Sequence, residues 1–584
     1  MFSFKRNKKK KESKKTVKKE ENREFYKPYR VEYKKLKNAS MILIIPFLGL
    51  GFRYAYLGII KANTLATIGN GQYVYKENLE DIPYRVYDCN DKNFYESIKK
   101  YSIVIDPIAY KKFNTDMEAE AIKTLKYILR NYNKDYLLPD EINKTLNDKI
   151  TYDIDLETYN KIKEMNNLNF IKGVYIYEST NTDKKNNWDI VNLLTNPLDN
   201  KDGSKKPKDT LEAMIADKTK DNIIPKIVYE KDVTGKLMEP KYIEGEHNVN
   251  LKLTLDKNLQ DSIHDMLQDE MYEKYDEVGV VLMEADTGKI RALTQRNYNL
   301  PNVNIGATSN HGYFPGSIFK VIVHEMGMEK GITWPTKVYK RNKNIKEFNN
   351  KDQLTVREAL IWSSNDIFYQ IGEEVGFDNI KKIAKQHGMM EKVLGLYHEQ
   401  AGNFEVDENN LTTDQVRHSA IGQKIRITPL EALSIPSTVI NDGYYVKPQI
   451  IDSFVDNEGK EIEGYEVEKE RIIKKSTASS LKENMKDIVN SATGTGNNAK
   501  FDGFDVGGKT GTTEYFEIND KGEREKHCDG WFTGFFNYND KNYVMVVFVQ
   551  DIKWDTEYPE EGGTTAAPVF HKVLDLMKEN KYLK

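Results

Sequence analysis

Hydrophobic and polar positions repeat with different periods along the chain, and the changes of period mark its organisation. From about Gly245 the texture becomes strand and helix in turn. HNVNLKLTLD alternates with a period of two, KNLQDSIHDMLQDEMYEKY carries apolar residues at helical spacing, and VGVVLMEADTGKIRALT predicts a hairpin turning at Asp286-Thr287-Gly288. Further on, GWFTGFFNYNDKNYVMVVFVQD predicts a second hairpin turning at Asn539-Asp540, and TAAPVFHKVLDLMKEN a closing helix. Strands at both ends of one domain with helices between predict an α+β fold, built on an antiparallel sheet whose first and last strands meet. The helix opening at Ser317 is apolar almost all round, through Ile322, Val323 and Met326, so it is expected behind that sheet as a buried central helix.

Ahead of this domain, residues 62–245 have another character. They are rich in Lys, Asn, Asp and Tyr, with charged helical stretches such as DMEAEAIKTLKYILRNYNKDYLLPDEINKTL interrupted by polar loops such as TNPLDNKDGSKKPKDT. No internal repeat and no catalytic constellation stands out there. The expectation is an elongated, modestly packed region for spacing or docking, consistent with a 584-residue chain too long for one ordinary core.

The N-terminal pattern is different again. Residues 1–37 hold 16 Lys or Arg against 5 Glu, a solvated basic run. NASMILIIPFLGLGFRYAYLGII follows, uncharged from Ala39 to Gly51, then Arg53 and a second apolar patch from Tyr54 to Ile60. At helical rise the first stretch covers only about 20 Å, but continuing to Ile60 gives about 33 Å, enough to cross a bilayer core of roughly 30 Å. We therefore expect a basic tail over residues 1–38 and a membrane-spanning helix over residues 39–60, with Arg53 snorkelling to the interface beside Tyr54 and Tyr56. The positive flank places the N-terminus in the cytoplasm and the bulk of the chain, from residue 62, outside the cell membrane. A cleaved signal peptide fits less well, because the basic lead is long and no small-x-small cleavage site follows.

Composition narrows the partners. Hydrophobic residues make up 39% and charged residues 30%, as in a globular chain, and the formal net charge of −3 argues against a nucleic-acid binder. Two cysteines, Cys89 and Cys528, are too few for a disulfide framework.

The candidate chemistry begins in GYFPGSIFKVIVHEMGMEKG. Ser317 and Lys320 are three apart, so on a helix the hydroxyl and the amine share a face and form a nucleophile and a base. Ser-x-x-Lys alone is weak in a lysine-rich chain, and Ser97/Lys100 and Ser479/Lys482 repeat it. The weight comes from company. Ser363-Ser364-Asn365 lies 46 residues on, and Lys509-Thr510-Gly511-Thr512 follows 144 residues after Asn365 in the strand-like DVGGKTGTTEYF. A further Ser-x-Asn, Ser179/Asn181, falls in the earlier polar region.

In this order the trio resembles the active-site motifs of penicillin-binding proteins and serine β-lactamases. EHNVNLKLTLDKNLQ, VGVVLMEADTGKIRAL, YFPGSIFK, AIGQKIRITPLEAL, ATGTGNNAKFDGFDVGGKTGT, GWFTGFF and GGTTAAPVF are similar to segments of the transpeptidase domain, and IPYRVYDCNDKNF and YSIVIDP to the opening of the pedestal domain of class B penicillin-binding proteins. The resemblance implies a penicillin-binding transpeptidase fold over residues 246–584, preceded by a pedestal, or dimerisation-like, domain over 62–245 and the membrane helix. It implies a peptidoglycan D,D-transpeptidase that cross-links stem peptides through a serine acyl-enzyme and is acylated by β-lactams. Alternatives are a D,D-carboxypeptidase, or a non-catalytic cell-wall scaffold or β-lactam sensor. No glycosyltransferase-like segment appears, which argues against a bifunctional enzyme and for a separate membrane glycosyltransferase as partner.

By the same resemblance Ser317 is the nucleophile and Lys320 its base, an amine expected to lose pKa by desolvation with Lys509 acting in the same sense. Ser363 relays a proton toward the leaving amine, and Asn365 orients Lys320 and holds the substrate amide. Lys509, Thr510 and Thr512 face the terminal carboxylate of the peptide, Gly511 admits close backbone approach, and the backbone N–H groups of Ser317 and Thr512 form the oxyanion hole. No cofactor is required.

One stretch falls outside this scheme. In KHCDGWF, His527, Cys528 and Asp529 are all competent zinc ligands, and a structural zinc is the expectation they raise, with a fourth ligand from Asp505, Glu514 or Glu517. On a regular strand His527 and Asp529 face one way and Cys528 the other, so a common ion needs a loop or bulge there.

Overall fold

A computed structural model describes residues 33–61 and 74–583, apart from residues 145, 147, 166–170, 184–206, 233–235, 343–344, 346–350, 519–521 and 554–558. The chain divides into two units after Tyr75.

In the first unit, α1 (Tyr33–Ala55) runs on through a π-helical turn at Tyr56–Ile60. Its segment Ser40–Ile59 has a mean hydropathy of 1.7 and is long and apolar enough to cross a membrane.

The second unit contains the polar region and the strand–helix region. In the former, β1 (Ser97–Ile105) is flanked by α2 (Glu120–Tyr132), and pairs antiparallel with both β2 (Ile150–Ile154) and β3 (Val174–Thr182). Ile103 and Ile105 on this sheet pack against Ile122, Leu125 and Leu129 of α2, which recur at helical spacing. The polar region thus has a core of its own, small and ringed by tyrosines.

The strand–helix region is organised by α3 (Lys257–Leu267), capped by Asp256, and a five-stranded sheet. Two of its strands are β4 (Glu277–Glu284) and β5 (Ile290–Gln295). The chain then passes through a 3-10 turn, Gly316–Phe319, into α4 (Lys320–Glu329). Next come α5 (Val356–Ile361), α6 (Asn365–Val375), α7 (Phe377–Gln386) and α8 (Lys475–Asn490). The sheet is completed by β6 (Gly507–Ile518), β7 (Arg524–Tyr538) and β8 (Lys541–Gln550), and α9 (Ala566–Asn580) closes the chain. The strand order is β5-β4-β8-β7-β6 and every pairing is antiparallel, so the first and last strands of the sheet in chain order, β4 and β8, are neighbours, as the pattern predicts.

Both faces of the sheet are covered, and the period of two sorts side chains between them. Val278, Val280, Leu282, Met545, Val547, Phe532 and Phe536 face α3 and α9, whereas Val281, Met283, Val544, Val546, Trp531 and Phe535 face the layer containing α4. The β7–β8 turn falls at Asn539-Asp540, whose φ of 50° and 60° fits the two-residue turns whose twist matches a hairpin. The alternating HNVNLKLTLD is a strand, but it lies outside this sheet. Asn250–Leu253 pairs in parallel with Val86–Tyr87 and antiparallel with Ile451–Val455, in a four-stranded sheet shared by the segments before and after Gly245.

Candidate active site

Ser317 sits in the 3-10 turn at the mouth of α4, partly exposed, and Lys320 follows as the first residue of α4 with no exposed surface. The turn reaches this position because two glycines let backbone meet backbone. Gly316 has φ of 55°, and a Cβ there would lie 2.8 Å from the Thr512 carbonyl; a Cβ on Gly511 would lie 2.6 Å from the Pro315 carbonyl. The turn is held from the far side by a hydrogen bond from Gly316 N–H to the Gly422 carbonyl, 3.1 Å. The turn that bears Ser317 therefore abuts the strand that carries Lys509 to Thr512.

Ser363 occupies the junction between α5 and α6 in the left-handed region, φ 58°, which is unfavourable for a residue other than glycine. Capping on either side fixes this junction. Thr355 and Glu358 form a capping box at the start of α5, and Ser364 accepts a bond from Ile367 N–H at the start of α6. The strained junction turns the Ser363 carbonyl and hydroxyl toward the lysines.

The Lys320 amine donates to Asn365 Oδ1 and to the Ser363 carbonyl, each at 2.6 Å, and lies 3.4 Å from Ser363 Oγ. It also sits 5.6 Å above the Phe368 ring. Lys509 is equally buried; its amine donates to Ser363 Oγ at 3.0 Å and to the Thr510 carbonyl at 3.0 Å. Two amines thus converge on one hydroxyl. Burial pulls the Lys509 amine down to about 7, against the opposing influence of Glu561. Thr510 Oγ1 donates to Thr495 Oγ1 at 2.8 Å, and Thr512 Oγ1 accepts from Gly562 N–H at 3.1 Å.

The structure therefore brings together Ser317, Lys320, Ser363, Asn365, Lys509, Thr510, Gly511 and Thr512 from three distant stretches. The other occurrences of the same spacings stay apart. Ser97/Lys100 and Ser179/Asn181 lie on paired strands β1 and β3, and Ser479/Lys482 on α8. Reading residue by residue missed Thr495, Gly562 and Gly422. Each acts through a backbone group or a single hydroxyl, and the only signal of them was the Gly- and Thr-rich texture of ATGTG, GGTT and AIGQ.

The expected zinc site does not form. Residues 524–529 of β7 continue as regular strand paired with β6, so Cys528 points into the apolar layer under α3 and α9 while His527 and Asp529 point the other way. His527 Nδ1 pairs with Asp551 Oδ1 at 3.0 Å, and the buried Asp529 accepts from Asp551 N–H at 3.1 Å and from Tyr515 OH at 3.4 Å. Burial pushes the Cys528 thiol up to about 12, away from the thiolate a metal needs. Glu514 is paired with Lys526 and Asp505 with Lys486, and the Glu517 side chain lies outside the described residues. Among the described residues no group of three His, Cys, Asp or Glu side chains is placed to hold a metal.

A hydroxyl at the start of a buried helix, a buried amine one turn on, and a second amine on an adjoining strand define the class: a serine acyl-transfer site of the penicillin-recognising kind. The penicillin binding protein transpeptidase domain model matches residues 278–575, so the chain belongs to that family. Stage V sporulation protein D of Bacillus subtilis is 26% identical over 385 residues, which cover 60% of this chain and 57% of that protein. The peptidoglycan D,D-transpeptidase FtsI of Buchnera aphidicola is 24% identical over 372 residues, 61% of this chain and 62% of that one. The match spans less than two thirds of the length of either relative. In fold, the chain is similar to penicillin-binding protein 3 of Mycobacterium tuberculosis, solved in complex with ampicillin, with a TM-score of 0.56 and 17% identity over 87% of this chain and 97% of that one.

Proposed function

We propose that this protein is a membrane-anchored peptidoglycan D,D-transpeptidase that works through an acyl-enzyme on Ser317. The observation that carries the reading is the convergence of the Lys320 and Lys509 amines on Ser363, beside the turn that presents Ser317. Lys320 takes the Ser317 proton as Oγ attacks the carbonyl of the penultimate residue of a stem peptide. The oxyanion forms against the backbone N–H groups of Ser317 and Thr512, donors of a kind worth about 3–4 kcal/mol of barrier. Collapse breaks the peptide bond, and the terminal D-alanine leaves as an amine that receives its proton by way of Ser363. An acceptor amine from a neighbouring strand then attacks the ester, returning Ser317. Asn365 orients Lys320 and holds the substrate amide, and Lys509 with Thr510 and Thr512 receives the terminal carboxylate. No cofactor enters this cycle. A β-lactam follows the same first step and stops at the ester.

The remaining parts of the proposal concern placement. Residues 1–38 lie in the cytoplasm, residues 39–60 cross the membrane, residues 62–245 form the pedestal and residues 246–584 the transpeptidase domain outside the cell. The apolar Ser40–Ile59 segment and the basic run before it support this topology. Such a chain needs glycan strands made by a separate membrane glycosyltransferase, for which the pedestal is the expected docking region.

The test is to incubate full-length protein in detergent with a stem pentapeptide donor and an amine acceptor, and to separate the products. Cross-linked dimer is the expected product; release of D-alanine without dimer indicates a carboxypeptidase, and neither product indicates a scaffold.

A further inference from the structure

The helix that carries Lys320 contains two more polar side chains that this chemistry leaves unused. From Lys320 to Gly327 α4 is buried without a break, and within that stretch His324 and Glu325 both have 0% exposure. Burying such groups is unfavourable unless partners satisfy them. His324 Nδ1 lies 3.0 Å from Thr333 Oγ1, and its Nε2 lies 3.4 Å from the Asn484 amide of α8. Glu325 Oε1 lies 2.9 Å from Nε2 of His387, the buried residue that follows Gln386 and caps the C-terminal end of α7. The outer atoms of this second pair, Glu325 Oε2 and His387 Nδ1, have no hydrogen-bond partner among the described residues.

As a device for stability this is a poor arrangement, because apolar residues of similar volume commonly serve as well or better. What a buried polar pair supplies is register. A hydrophobic contact tolerates a small rotation or slide of a helix, whereas the bond from Glu325 to His387 is made at one rotation and one axial position of α4, and any other leaves two buried polar groups unpaired. The two contacts also grip different sides of the helix, one toward α7 and one toward α8. Lys320 lies on the same helix one turn before His324, with its amine 2.6 Å from Asn365 Oδ1.

We propose that the Glu325–His387 hydrogen bond is a positioning device that sets the register of α4, so that Ser317 and Lys320 meet the Ser363–Asn365 junction. The proposal rests on the reading of Ser317 as the acylated nucleophile. It makes Glu325 and His387 positioning residues whose loss is felt in the chemical step rather than in binding or folding. A displacement of about 1 Å in such a site is worth as much as 100-fold in rate.

The experiment uses full-length protein in detergent and a fluorescent penicillin, with labelling followed over time at several concentrations to separate the acylation rate constant from the prior dissociation constant. E325L/H387L and E325M/H387M remove the bond with two different apolar packings, and E325Q retains a hydrogen bond to His387. The expected result is an acylation rate constant reduced at least tenfold in the apolar pairs, with an unchanged dissociation constant and a melting temperature equal to or above that of the wild type, and a near wild-type rate in E325Q. Apolar pairs that acylate at the wild-type rate overturn the proposal. So does failure of both pairs to fold, which would make the bond a requirement of the fold itself. Wild-type protein that takes no label defeats the functional reading instead.

Discussion

Two regions of this chain offer reactive side chains close together in sequence, and only one of them lies where buried amines and a hydroxyl from distant stretches converge. Ser317 and Lys320 are three apart on a turn and helix, while His527, Cys528 and Asp529 are consecutive on a strand. Helical geometry puts residues three and four apart on one face, whereas a strand sends neighbours to opposite faces. The helix end is also met by a junction strained at Ser363 and by a strand carrying Lys509, which together surround its polar groups. The strand residues meet unlike surroundings: Cys528 enters an apolar layer, and His527 and Asp529 turn to Asp551. Adjacency in sequence is thus a weaker signal of chemistry than spacing matched to the local period.

The comparison breaks most completely at Ser317. Ser317→Ala should abolish covalent penicillin labelling while leaving the melting temperature within a few degrees of wild type, read by gel fluorescence and thermal unfolding. Persistent labelling would mean that the helix end is not the reactive region. Lys320→Ala should fold but acylate about 10²–10⁴-fold more slowly, the range for loss of a general base, in a stopped time course. A rate unchanged by this substitution would point to another base.

The strand region should respond in stability instead. Cys528→Ser puts a more polar hydroxyl in place of a thiol buried in an apolar layer and should cost about 1–3 kcal/mol in denaturant unfolding, with acylation kinetics and zinc content unaltered. Zinc bound at one per chain and lost in this variant would restore the metal site. A separate effect, read in the pH dependence of stability, concerns Asp529, whose carboxyl burial pushes up to about 7. A carboxyl raised above its unfolded value near 3.9 binds more protons in the folded state between about pH 4 and 7, so its contribution to stability is full below pH 4 and is lost as pH rises through 7. Asp529→Asn should therefore flatten the pH dependence of stability across that window, and an unchanged slope would show that Asp529 does not titrate there.

Much of the architecture was legible because it rests on period and turn chemistry. The paired strands GWFTGFF and YVMVVFVQ alternate between two apolar layers, and Asn539-Asp540 marks the turn between them. The membership of HNVNLKLTLD in a different sheet was not legible, since pairing in parallel with Val86–Tyr87 depends on a contact far away in sequence. At the site, spaced motifs identified the side chains that converge, but not the convergence of Lys320 and Lys509 on the Ser363 hydroxyl, which depends on a positive φ that no residue type announced. Gly422 and Gly562 act by letting backbones approach, so their importance appears only once the neighbouring strand is in place.

The central claim is that the hydroxyl at the mouth of α4 becomes acylated. Full-length protein treated with benzylpenicillin, digested and analysed by mass spectrometry should carry a single penicilloyl ester, on the peptide containing Ser317 and localised to that residue by fragmentation. An adduct on Ser363, Ser97, Ser479 or any other residue would contradict it.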